Sequence, residues 1–246
     1  MRRFFIEDMD ERSASVRVTG EELKHLKKVL RLRPGSPAAA FDGRGLELTG
    51  IIESVGADCA IIRVEGRSFG AGESPLGITL VQGLVKGSRP ELIVQKATEL
   101  GVRGVHFYSS GRTIPVLREE RSGNRLARLR RVAVEAAKQC GRTRVPLISF
   151  PGFDEALSLH EGGLKLLFWE GERSRTVKEA LRAPLPPLSG GVVMLAGPEG
   201  GLSAEDAAKA AGRGFTAVSL GPRVLRAETA ALAAVSIVQY ELGDMS

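Results

Sequence analysis

The sequence predicts an α/β protein in two parts, a small β-barrel followed by a mostly parallel sheet with covering helices. Three observations predict it. Short strand candidates crowd the first 72 residues; past a Gly-rich stretch, strands alternate with helices; and the chain closes on two near-parallel passages of strand, Gly-Pro loop and helix. Dense short strands point to a small barrel, and strands alternating with helices imply a mostly parallel sheet. The expected domains are residues 1–72 and 73–246.

In chain order, Phe4-Phe5-Ile6 and residues 15–18, 38–41, 46–52 and 59–64 are short apolar or alternating runs that read as strands. Asp42-Gly43 and Gly56-Ala57-Asp58 supply turns between them. One helix interrupts, with Thr19 as its cap, Glu22 completing a capping box, and an end near Val29. Residues 66–75 are polar and Gly-rich and read as a linker. A strand follows over 76–82, then a helix over 89–101 with Leu92, Ile93, Lys96, Ala97 and Leu100 along one side. Next come a strand over 102–108, a long helix over 123–140, a strand over 164–169, a short helix over 176–181 and a loop over 184–191. The first closing passage is a strand over 192–196, the loop Gly197-Pro198-Glu199-Gly200-Gly201, and a helix that Ser203 is placed to cap, with Asp206 favouring its N-terminus. The second is a strand over 216–220, the loop Gly221-Pro222-Arg223-Val224-Leu225-Arg226, and a helix opened by Ala227-Glu228-Thr229. Open α/β sheets bind ligands in loops at the carboxyl ends of their strands. Two such loops 24 residues apart predict one pocket with two walls.

Composition excludes several classes. Hydrophobic residues make up 43% of 246, enough for a real core. No apolar run reaches the roughly 18 residues of a membrane span, and the richest stretch, 230–240, reads as a buried helix. The acidic run Glu7-Asp8-Met9-Asp10-Glu11 stands where a secretion signal has its apolar core, which argues against export. Cys59 and Cys140 make no disulfide framework and read as reduced core residues of a cytoplasmic protein. His25, His106 and His160 are too dispersed for a metal site, and no cysteine pair has zinc-ligand spacing, so no metal is expected.

The net charge of +6 is concentrated. Residues 112–144 hold ten basic side chains against three acidic ones, so the rest of the chain is near neutral. On the long helix, Leu126, Leu129, Ala133, Ala136 and Cys140 share one face, while Arg125, Arg128, Arg131 and Lys138 project from the other. Such a stripe is either a solvated face or the electrostatic footprint of a nucleic-acid partner, and the local surplus favours RNA. The Gly-Pro-Glu-Gly-Gly loop is either an ordinary tight turn or a backbone that a ligand can approach without meeting a Cβ. It is neither a Walker loop nor a dinucleotide fingerprint, which weakens common nucleotide cofactors.

Residues 195–203 and 220–230, taken together, closely resemble the RsmE family, 16S ribosomal RNA uridine N3-methyltransferases of the SPOUT superfamily. Arg3-Phe4-Phe5, residues 25–35, Lys86-Gly87 through residues 95–102, and residues 135–142 carry the resemblance along the whole chain. The resemblance implies a PUA-like N-terminal barrel that helps hold RNA and a C-terminal SPOUT domain threaded into a deep trefoil knot. It implies a homodimer that binds S-adenosylmethionine in the knot without a metal, and the small ribosomal subunit as partner. It carries the cofactor pocket to Leu167, Phe168 and Trp169, to Ala196, Gly197, Glu199, Gly200 and Gly201, and to Leu220, Gly221, Val224 and Leu225. The stretch Phe168-Trp169-Glu170 is the least typical of the family.

Methylation at uridine N3 needs an unpaired or flipped base, a proton acceptor and a group that stabilises charge on the flanking carbonyl oxygens. Arg226 is assigned the stabilising role, and Glu199 or Glu228 the proton. Arg3, Arg31, Arg112, Arg125, Arg128, Arg131, Lys138 and Arg142 are the expected RNA contacts.

Overall fold

The computed structural model describes residues 1–109, 119–159 and 163–245, and the chain divides into two compact units. The first comprises Met1–Glu73 with Val134–Val145; the second comprises Ser74–Ala133 with Pro146–Ser246.

The first unit is built on strands β1 (Arg2–Phe5), β2 (Ser15–Val18), β3 (Pro37–Phe41), β4 (Leu46–Val55) and β5 (Ala60–Phe69). They pair in the order β1-β3-β4-β5-β2, parallel at β1-β3 and antiparallel elsewhere. Phe4 from one edge and Val16 and Val18 from the other share one core with Leu26, Leu48, Ile52 and Ile62. The sheet therefore curls on itself, as the density of short strands predicts. β5 continues through residues 66–69, the start of the stretch that the polar composition reads as linker. Those residues pair with β4 as far as Leu46–Phe69, and the Arg67 side chain adds hydrogen bonds to the Glu11 and Ser13 carbonyls. Gly50 lies at a register shift where any Cβ would collide with the Arg63 carbonyl.

Helix α1 (Gly20–Lys24) runs directly into a wider π-helical turn, His25–Val29. The expected capping box is not formed: Thr19 is extended at the cap position but its side chain bonds nothing there. Gly20 enters the helix at φ +58°, a left-handed step that breaks the capping geometry. The Glu22 carboxylate is drawn instead to Lys138 Nζ, 2.9 Å away.

The second unit carries a six-stranded sheet in the order β11-β9-β10-β6-β7-β8, parallel throughout. Its strands are β6 (Ile78–Gly83), β7 (Gly104–Tyr108), β8 (Leu147–Ser149), β9 (Leu164–Phe168), β10 (Val192–Ala196) and β11 (Thr216–Val218). β6, β7 and β10 are buried along their whole length, which accounts for the unbroken apolar run of β10, while β6 buries Thr79 and Gln82 and β7 buries His106 among apolar neighbours. The helices are α2 (Arg89–Glu99), α3 (Glu119–Cys140), α4 (Phe153–Leu157), α5 (Val177–Arg182), α6 (Ala204–Gly212) and α7 (Ala227–Leu242). The last turns of α3 belong to the first unit. β8 and α4 have no counterpart in the sequence reading. α7 packs on α2, β6 and β10. A buried amide secures it: Gln239 Nε2 donates to the Leu100 carbonyl at 2.7 Å, and Ser74 Oγ donates to Gln239 Oε1 at 3.1 Å. Among the described residues no helix is long and apolar enough to cross a membrane. Cys59 and Cys140 are unpaired thiols, half-buried rather than deep in a core.

Candidate active site

The strand register creates the site. Val218 lies opposite Phe168, Phe168 opposite Ala196, Ala196 opposite Gln82, and Gln82 opposite Phe107. The carboxyl ends of five neighbouring strands therefore stop in one line, and three loops leave from β9, β10 and β11 side by side. This is where an open parallel sheet takes its ligand.

The first loop begins at Trp169, whose Nε1 donates to the Leu202 carbonyl at 3.2 Å and so ties this loop to the next. Leu167 and Phe168 are buried in the sheet, leaving only their backbone to face a ligand. In the second loop, Gln82 Nε2 donates to the Gly197 carbonyl at 2.7 Å, and Gly201 N donates to the Pro198 carbonyl at 3.0 Å. Gly201 stands at φ +69° with the Glu170 carboxylate against it, and any Cβ at Gly83 would collide with Pro198. Both positions demand glycine. The third loop is held at its root, where Ser219 N donates to the Arg175 carbonyl at 2.8 Å and Val177 N donates to the Ser219 carbonyl at 3.0 Å. Beyond the root, residues 222–225 make no backbone hydrogen bond among the described residues, and Val224 is 88% exposed. The segment lies at the surface, where solvent satisfies its backbone groups, and a ligand seated there would replace solvent as their partner.

Under the loops lies Tyr108, fully buried, donating to the Ala196 carbonyl at 3.2 Å. Burial pushes its phenol above the ordinary value, and Asp206 and Glu170 add to the shift. It therefore stays neutral and serves as floor. Gln82 is also fully buried, and its Oε1 has no hydrogen-bond partner among the described residues.

The charged groups meet at Arg89, the first residue of α2. Its Nη1 pairs with Glu199 in the second loop, and its Nε lies 3.5 Å from Glu228 in the first turn of α7. Glu199 also accepts from Lys86 N at 3.1 Å. The structure thus brings both candidate carboxylates to one guanidinium, and it puts Arg226 two residues from Glu228 at the cap of α7. Arg226 is exposed, and its side chain has no partner among the described residues. Sequence reasoning missed Arg89. The signal available was a cation in the first turn of a helix, where the dipole disfavours positive charge unless an anion answers it.

The expected RNA contacts divide. Arg31 and Arg131 are exposed, and Arg128 is exposed but paired with Glu91 at 2.9 Å. Arg125 is half-buried, donates to the Val85 carbonyl at 3.3 Å and lies 5.8 Å from the centre of the Phe150 ring. Three differ from expectation. Arg3 pairs with Glu47 at 2.7 Å and covers Phe41; Lys138 bonds Glu22 and Glu135; Arg142 is only 2% exposed and gripped by Glu73 at 2.8 Å. Their charges are neutralised inside the first unit, so they are structural cations there. Arg112 and His160 lie outside the described residues. Among the described residues, no three His, Cys, Asp or Glu side chains gather as a metal-binding group.

Residues 72–239 match the RNA methyltransferase domain family, and residues 18–65 match the RNA methyltransferase PUA domain family. The chain is 30% identical to ribosomal RNA small subunit methyltransferase E of Bacillus subtilis, over 98% of this chain and 97% of that one. It is also 30% identical to the protein of that name from Mycobacterium tuberculosis, over 96% and 90%. Among solved structures it resembles a ribosomal RNA small subunit methyltransferase E from Neisseria gonorrhoeae bound to S-adenosylmethionine. The TM-score is 0.88, with 33% identity and full coverage of both chains. A Legionella pneumophila protein in complex with the same cofactor superimposes with a TM-score of 0.86 at 30% identity, over 99% and 98% of the two chains.

Proposed function

The chain belongs to the ribosomal RNA small subunit methyltransferase E family, and from that premise we propose that it methylates N3 of a specific uridine in 16S ribosomal RNA, with S-adenosylmethionine as donor. The observation that carries this reading is the line of strand ends with three loops above it and residues 222–225 unpaired in the third.

The residues present fit the donor. At Gly200 and Gly221 a Cβ would meet nothing within 4 Å, so space lies open over both backbones. The partnerless Gln82 Oε1 at the same strand ends is a buried acceptor in want of a donor. Ala196, Gly197, Glu199, Gly200 and Gly201 would hold the cofactor from one side, Leu220, Gly221, Val224 and Leu225 from the other, and Trp169 with the backbone of Leu167 and Phe168 from the third. S-adenosylmethionine, when bound, supplies an electrophilic methyl group on a sulfonium.

The chain's own residues do the rest. Arg226, exposed and without a side-chain partner among the described residues, orients the uracil and stabilises charge on its carbonyl oxygens as the N3 proton leaves. Glu199 or Glu228 accepts that proton, and Arg89 holds both carboxylates in place. The target base must be unpaired to present N3, and fixing it against the donor contributes by alignment.

The wider reading follows the family. Residues 1–72 hold RNA as a PUA-like barrel and residues 73–246 form the SPOUT domain; exposed Arg31, Arg128 and Arg131 contact the RNA. A trefoil knot, rare in proteins, is supported by β10 lying between β9 and β6 and by α7 returning from the β11 edge to pack on β6, β10 and α2. A homodimer is supported by the small residues of α7 and its exposed Tyr240. Unpaired cysteines agree with a cytoplasmic setting.

The test is a methylation assay on small subunits and on naked 16S RNA, with the product nucleoside identified by mass spectrometry. N3-methyluridine is expected; a 2′-O-methyl nucleoside or a methylated guanine would overturn the assignment. Arg226→Ala is expected to abolish turnover and leave cofactor affinity nearly unchanged by calorimetry. Near-normal turnover in that variant removes Arg226 from the chemistry.

A further inference from the structure

At the end of β5, in the first unit, Phe69 turns its ring to solvent, 67% exposed. One edge of the ring rests on Gly45, a glycine at φ +126°. A Cβ there would lie 3.1 Å from the ring and 3.3 Å from Arg144 Nη2, so the ring and the Arg144 guanidinium both lie against this glycine. The ring also walls a cleft of about 530 Å³ shared with Arg12, Arg67, Leu46, Ser68 and Glu11. Ligand clefts run from roughly 300 to 1,000 Å³, so one nucleotide fits.

The charges around the ring favour an anion. Arg12 and Arg144 have no side-chain partner among the described residues. Arg67 is fixed as a wall, its Nε donating to the Glu11 carbonyl at 2.7 Å and its Nη2 to the Ser13 carbonyl at 3.0 Å. Of the nearby carboxylates, Glu47 pairs with Arg3, Asp42 accepts from three backbone N–H groups, Glu73 holds Arg142, and Asp10 accepts from Arg12 N at 2.9 Å. Glu11 alone is left among the acids lining the cleft.

We propose that this cleft binds one unpaired nucleotide of RNA, its base stacked on Phe69 and its phosphates facing Arg12 and Arg144. An aromatic face with flanking cations is how proteins hold single strands without reading sequence. A base inside a duplex has no free face to offer the ring, so the site selects single-stranded RNA. The proposal rests on the methyltransferase reading for its RNA, yet it is tested by binding alone.

The experiment measures the affinity of the full chain for a short uridine oligomer and for a duplex of equal length, by fluorescence anisotropy at fixed salt. Phe69→Ala is expected to weaken the oligomer about 5- to 150-fold, the span of one lost base stack, and to leave the duplex unchanged. Phe69→Tyr keeps the ring and is expected to bind within about twofold of the parent, because either ring offers a stacking face. An unchanged melting temperature and unchanged S-adenosylmethionine affinity exclude misfolding, which an exposed ring outside the core gives no cause to expect. The proposal is overturned by a parent chain that does not bind the oligomer, by an alanine variant that binds it normally, or by equal losses on oligomer and duplex. Failure of the function reading looks different: no methylated nucleoside forms, while the difference in oligomer affinity between Phe69→Ala and Phe69→Tyr persists.

Discussion

Arg89 is the residue on which the proposed chemistry turns, although it is not assigned to touch the substrate. It is the shared partner of Glu199 and Glu228, groups that lie 29 residues apart in the chain and on different elements. Replacing it with Ala leaves two carboxylates near each other with no cation between them. Turnover is expected to fall about 10- to 100-fold, since small misplacements of reacting groups cost about that much. Stability is expected to change by less than about 1 kcal/mol, because the pair is partly solvated. Arg89→Lys keeps the charge but loses the fork that spans both acids, and is expected to recover turnover only in part. Single-turnover rates beside urea unfolding separate the two effects; full activity in the alanine variant would remove the positioning role. At this scale the sequence was partly legible. Glu199, Glu228 and Arg226 stood out because they flank Gly-Pro loops, whereas Arg89 acquires meaning only through partners far along the chain. Arg3, Lys138 and Arg142 misled in the opposite sense. Charge and helical position locate a side chain on its own element, but they cannot reveal that Glu47, Glu22 and Glu73 pack against it.

Among the elements, two of the capping-box patterns, those of α1 and α6, make a controlled comparison. Ser203 and Asp206 form the box on α6: Ser203 Oγ accepts from Asp206 N at 3.0 Å, and Asp206 Oδ2 accepts from Ser203 N at 3.4 Å. Thr19 and Glu22 have the same spacing and form none. Gly20 at φ +58° separates the cases. Ser203→Ala is therefore expected to cost about 1 kcal/mol, within roughly 0.5–2, and Thr19→Ala to cost no more than a few tenths of that scale. Urea unfolding of both variants decides; equal losses would contradict the local account. The α6 box also steadies the loop carrying Glu199, so Ser203→Ala links a helix cap to the site. Long elements were legible because burial imposes a period on them. β8 and α4, of three and five residues, are too short for a period to register. The end of β5 was hidden because a strand with one solvated face need not be apolar.

For the whole molecule, alternating strands and helices announced a parallel sheet, but the order β11-β9-β10-β6-β7-β8 was beyond any local signal. That order decides function, because it sets side by side three loops that lie far apart along the chain. It also decides which part of the protein the cofactor stabilises. A ligand that binds only the folded state stabilises by RT ln(1 + [L]/Kd), about 2.7 kcal/mol at one hundred times Kd. The groups assigned to hold S-adenosylmethionine all belong to the second unit, on β9, on β10 and in the loops beyond β9, β10 and β11. Saturating cofactor is therefore expected to slow amide exchange about 100-fold in β6, β9 and β10, where exchange requires the sheet to open. Amides of β1 to β5 are expected to exchange at their former rates, since no group there is assigned to the ligand. Hydrogen exchange followed by mass spectrometry resolves the two sets. Slowing of equal size in both sets would mean that the two units open as one, and no slowing in either would remove the cofactor from the strand ends.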